Sequence, residues 1–135
     1  MTQIGIRRPL EAGFEEALER VAAALQSEGF GVLTEIDVQK TLREKLGADF
    51  RRYRILGACN PPLAYQALQT ELDVGLGMPC NVIVYETAGG KSVVVAVDPL
   101  QTLASLGAPG LEPVAREVRR KLERVLDRLN QPPNA

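Results

Sequence analysis

The chain has no histidine, no tryptophan, only two cysteines and 4% aromatic residues among its 135. Each scarcity excludes something. Without histidine there is no imidazole base, no imidazole ligand for zinc or haem, and no Ser-His or Cys-His nucleophile pair. Two cysteines in a chain this long are not a disulfide framework, so the expected setting is a reducing cytoplasm. No basic segment followed by an apolar one opens the sequence, and no apolar run approaches the roughly 18 residues of a membrane span. Sixteen basic residues against 17 acidic ones give a net charge of −1, too balanced for a polyanion footprint. Neither nucleic acid nor membrane is expected as a partner.

What is present is ordinary for a soluble globular protein: 45% hydrophobic and 24% charged residues. A length of 135 residues suits a single domain, 1–135, with a real core. Any chemistry must rest on thiols, carboxylates, hydroxyls or an outside cofactor. No Gly-rich phosphate loop is present, and no cofactor is implied.

The apolar spacing predicts alternating elements. Thr2 to Arg8 reads as a strand ending at Pro9, and Glu11 to Glu28 as a helix with Phe14, Leu18, Val21 and Leu25 on one face. Gly29 suits a left-handed C′ position, with Phe30 folding back on Leu25 as in a Schellman motif. Phe30 to Ile36 reads as a strand, with Phe30, Val32, Thr34 and Ile36 on one side. Asp37 caps a short helix, Val38 to Leu46, striped by Val38, Leu42 and Leu46. A third strand, Phe50 to Leu56, sets Tyr53 and Ile55 on one face and Arg52 and Arg54 on the other, facing solvent or a partner.

A helix from Pro61 to Leu72 follows, then a loose stretch from Asp73 to Pro79. Cys80 to Glu86 and Lys91 to Val97 form a valine-rich hairpin about Thr87-Ala88-Gly89-Gly90. Leu100 to Gly110 reads as a loop with room for one helical turn. An amphipathic helix over about 112–130 closes the chain. Half-buried strands and a hairpin predict an α+β fold, with an antiparallel sheet of about five strands against two long helices.

The stretch from Arg54 to Tyr65 organises the candidate site. Asn60 suits an N-cap and Pro61 the first helical position, so Cys59 falls at a helix N-terminus, where a thiolate is favoured. Gly57-Ala58-Cys59 reads as a sharp turn. Cys80 begins the next strand, and antiparallel pairing brings it to the same edge of the sheet as Cys59. The pair reads either as a redox or metal-binding thiol site or as two small buried residues. Asn60-Pro61-Pro62 reads either as a ligand cradle or as a strand-to-helix switch. Glu35, Asp37 and Asp98 lie at strand ends, as acid–base candidates or as caps and turn formers. The sequence names no reaction.

The runs Gly29-Phe30-Gly31-Val32, Ile55-Leu56-Gly57-Ala58-Cys59-Asn60-Pro61 and Met78-Pro79-Cys80-Asn81-Val82-Ile83-Val84-Tyr85-Glu86, then Asp98-Pro99, resemble the bacterial and archaeal domain of unknown function family 302 over about residues 28–100. The resemblance implies a TATA-binding-protein-like α+β fold, often a homodimer, and no established reaction. The expectation is thus a small cytoplasmic binding or regulatory module, homodimeric, with a small-ligand site at Cys59, Asn60, Pro61 and Cys80. The alternative is a thiol redox enzyme or sensor, or a metal or sulfur carrier, working through Cys59 and Cys80.

Overall fold

Local signals decide most of the elements in the computed structural model, which describes residues 3–130. Strand β1 (Ile6–Leu10) leads to helix α1 (Phe14–Ser27), strand β2 (Gly31–Asp37) and helix α2 (Val38–Leu46). Strand β3 (Tyr53–Cys59), helix α3 (Pro61–Thr70) and a 3₁₀ segment (Leu72–Gly77) follow. The hairpin strands are β4 (Cys80–Glu86) and β5 (Ser92–Ala96), then come helix α4 (Pro99–Thr102), two short 3₁₀ turns and helix α5 (Glu112–Arg128). The five strands form one antiparallel sheet in the order β1-β5-β4-β3-β2. This is the expected α+β architecture.

Several boundaries move. The opening strand begins at Ile6 and runs through Pro9, which pairs with Val93. Pro9 is tolerated because β1 is an edge strand, where a missing N–H breaks no ladder bond. Thr2 lies outside the described residues. The third strand starts three residues later than Phe50 and continues through Gly57, Ala58 and Cys59, so those three are strand and not a turn. Part of the loose stretch after α3 winds into the 3₁₀ segment, and the helical turn expected after Asp98 is α4.

The predicted stop of α1 is realised. Phe30 N donates to Leu25 O, Gly29 N donates to Gln26 O, and Gly29 sits at φ 85°. Strand β2 departs from simple alternation, with a bulge between Val32 and Thr34 that leaves Leu33 out of register. Val32 therefore opposes Ala58 while Thr34 opposes Gly57. The stripe on α2 finds no partner: Leu46 is 74% exposed and no residue of that helix is buried.

Helices α1 and α5 cover one face of the sheet. The core holds Val21 and Leu25 of α1, Leu122, Val125 and Leu126 of α5, and Val82, Val84 and Val94 of the sheet. Burying each such leucine or valine stabilises the fold by about 1.5–3 kcal/mol. The other face is lined by Tyr53, Ile55, Ile83 and Tyr85, all half-buried, with the Tyr53 and Tyr85 rings stacked 5.5 Å apart. Parity along β3 puts Arg54 with Leu56 and Ala58, on the helix side, and its guanidinium lies 5.9 Å from the Phe14 ring. Arg52 approaches Glu15 of α1 at 3.8 Å. The arginines thus close one end of the helix layer, and the face opposite them is the apolar one.

Candidate functional site

At the C-terminal end of β3 the chain passes directly from strand into α3. Asn60 caps that helix, its Oδ1 accepting from Leu63 N at 3.4 Å. Its Nδ2 donates to Glu28 O at 3.2 Å, which ties the start of α3 to the end of α1. A side chain at position 29 would put its Cβ 3.1 Å from Asn60 Nδ2, so Gly29 serves this clamp as well as its own positive φ. Both polar ends of Asn60 are engaged, and the residue is 8% exposed. Pro61 occupies the first helical position and is exposed.

Both cysteines are free. Cys80 opposes Ala58 in the ladder, so Cys59 and Cys80 sit on neighbouring strands one position apart in register. Side chains alternate along a strand, and the two thiols therefore leave the sheet on opposite faces. Cys80 points toward the helices and is 9% exposed. Burial, with a smaller contribution from Cys59, pushes its thiol up to about 11, so it is protonated at neutral pH. Cys59 is half-buried, one residue before the N-cap. Among the described residues no three His, Cys, Asp or Glu side chains converge as metal ligands.

Around this end of the sheet lies a cavity of about 290 Å³. The tip of β3 and the start of β4 give one wall, with Ala58, Cys59 and Cys80. Helix α3 gives a second, with Leu63, Ala64 and Ala67; Val114 and Val118 of α5 give a third. Leu33 and Thr34 of the bulged strand and the cis-linked Met78–Pro79 complete the rim. A Cβ at position 57 would come 2.9 Å from Pro79 Cγ and closer still to the Thr34 hydroxyl, so glycine lets Thr34 and Pro79 fold over the strand. No lining residue is charged. The fold thus brings Cys59, Asn60 and Cys80 to one cavity and leaves Pro61 outside it.

The wall residues Leu63, Ala64, Met78 and Val118 had escaped sequence reasoning. One signal pointed to them: small residues at positions 64 and 67, three apart on the inner face of α3, where a packed core favours larger ones.

The acidic candidates do not gather there. Glu35 and Asp37 reach Arg54 at 2.8 and 3.4 Å, at the opposite end of β3, and Asp37 also caps α2 through Lys40 N. The Glu35 hydrogen bond is the largest influence on Arg54 and holds its pKa above the ordinary value. Asp98 stands apart from both, capping α4 through Leu100 N and lying 3.2 Å from Arg119 Nε. Glu28 was not singled out by its sequence, yet its side chain is only 8% exposed between Arg124 and Arg128. Burial opposes its charge, but the two arginines outweigh burial and lower its pKa.

The model of the domain of unknown function DUF302 matches residues 6–129, well beyond the 28–100 stretch that carries the visible motifs. The chain belongs to the DUF302 family. A crystal structure of an uncharacterized conserved DUF302 protein from Bacillus stearothermophilus superimposes with a TM-score of 0.87 at 32% identity, covering 96% of this chain and 100% of that one. No curated protein matches. Among the described residues no helix is long and apolar enough to cross a membrane.

Proposed function

We propose that this DUF302 protein is a small cytoplasmic binding module, homodimeric, that holds a small ligand in the cavity at the Cys59–Cys80 end of the sheet. The cavity carries the reading. Its volume of about 290 Å³ lies near the lower end of the range for small-molecule pockets. Apolar walls with a few polar atoms at one side are the usual make-up of such sites. Pairing between copies is supported by the unpaired edge of β2, where Val32, Leu33 and Ile36 are 40%, 68% and 49% exposed. The apolar sheet face around Tyr53 and Ile83 adds to that support.

Methyl-resolved NMR with a fragment library tests the site. The expected hits shift the Met78 and Leu63 methyl signals and leave Val125 unmoved. Hits that cluster on Ile55 and Ile83 instead would move the site to the open sheet face. Sedimentation equilibrium tests the dimer, and a monomer at micromolar concentration removes that part.

The alternative, thiol redox chemistry or a metal or sulfur carrier, draws support from Cys59, which is half-buried just before a helix start. A Cys59→Ser variant that binds the same fragments with unchanged affinity would separate binding from thiol chemistry.

A further inference from the structure

We infer that the cavity takes an uncharged hydrocarbon group about twice the size of benzene, such as a medium-length alkyl or acyl tail, and that Ala64 sets its depth. The inference rests on the cavity being the ligand site and goes on to name the ligand class. Size is the first argument. An enclosed apolar cavity of about 150 Å³ holds one benzene, and this one, half open to solvent, is about 290 Å³.

Chemistry is the second argument. No lining residue is charged, so an ionised group entering the cavity would lose its hydration with nothing to replace it. Apart from the Thr34 hydroxyl at the rim, the polar side-chain atoms that reach the wall are engaged or weak. Asn60 spends its amide on Glu28 O and Leu63 N, and Cys80 presents a protonated thiol. A ligand recognised through several hydrogen bonds would find few free partners. A hydrocarbon needs none, and it gains in proportion to the surface it buries.

Shape is the third. Two of the three α3 residues on the wall are alanines. Ala67 is 2% exposed and lies deep in the wall, whereas Ala64 is half-buried, nearer the cavity mouth. A phenylalanine at 64, on the wall of unfilled space, is therefore the substitution expected to reduce the cavity volume. The polar end of a ligand stays outside, beside Thr34 and Leu33 at the rim.

Calorimetric titration of the full-length protein with the series from 1-butanol to 1-decanol tests this. Affinity is expected to rise about fourfold per added methylene, since about 0.8 kcal/mol per buried methylene is set against 1.4 kcal/mol per tenfold. The rise should level off once the cavity is full. Ala64→Phe should weaken every alkanol at least tenfold while the circular dichroism spectrum is kept. Leu63→Ala, which enlarges the cavity, should move the levelling-off to a longer chain, and it keeps the test valid if the phenylalanine variant does not fold. Affinity independent of chain length would overturn the ligand class, even where other fragments still shift the cavity methyls. A chain-length dependence untouched by either variant would overturn the cavity itself as the site.

Discussion

At its N-terminal end β3 carries Tyr53 and Arg54, and each is tied to its neighbours: Tyr53 stacks on Tyr85, and Arg54 reaches Glu35 and Asp37. Five residues further on, the same strand ends in Cys59 beside the apolar cavity, where Asn60 makes the side-chain hydrogen bonds found among the described residues. The first end holds a smaller, polar cleft of about 230 Å³, lined by Phe14, Asp37, Gln39, Arg52, Tyr53 and Arg54, where the charged groups pair with one another. At the second end, walls from β2, β3, β4, α3 and α5 meet around unfilled space. The larger and apolar space lies at the second end, and the conspicuous charges belong to the first.

The comparison can be broken most forcefully at the residue between the two ends. Leu56 is 3% exposed, and Leu56→Ala should cost about 2–5 kcal/mol and loosen both ends together in urea unfolding. A loss confined to one end by residue-resolved hydrogen exchange would show that the ends fold independently.

The alkaline limb of stability is the next largest effect, and it belongs to the open end. Cys80 has a folded pKa of about 11, raised by burial from 9.0. A group raised in this way leaves stability complete below pH ~9 and removes it as pH climbs toward 11, by about 2–3 kcal/mol. Cys80→Ala should flatten that limb, as seen by unfolding midpoints across the alkaline range. Parallel curves for the two proteins would place the thiol in water.

Asn60→Ala sharpens the comparison, since it removes the cap of α3 and leaves Glu28 O without its donor. The expected cost is about 1–3 kcal/mol in the same unfolding assay. Arg54→Met, at the charged end, should cost about 0–1 kcal/mol, because that side chain is 27% exposed and solvent screens its pairs. If the arginine variant lost more than the asparagine variant, the charged end would be the one that holds the fold.

The elements that local chemistry dictates were readable in advance: the Asp37 and Asn60 caps, the Gly29 stop and the valine-rich hairpin. Each depends on residues within a few positions of one another. What escaped depends on distant partners. The bulge at Leu33 exists only against the register of β3, and the strand continues through Gly57 by pairing with Thr34 and Asn81, with Thr34 and Pro79 in the space a side chain would take. The cysteines lie at one end of the inner strands β3 and β4, where a one-residue offset in register sets them on opposite faces. The cavity needs Val114 and Val118, more than fifty residues beyond Cys59, and Glu28 needs Arg124 and Arg128 from the last helix. No local pattern announces contacts of that range.

The most direct test of the account is a crystal of the protein under xenon pressure, since xenon enters apolar cavities that remain dry. The account predicts the strongest anomalous peak between Leu63, Met78 and Val118, lost in Ala64→Phe. An empty cavity, or a stronger xenon site on the Tyr53–Tyr85 face, would contradict it.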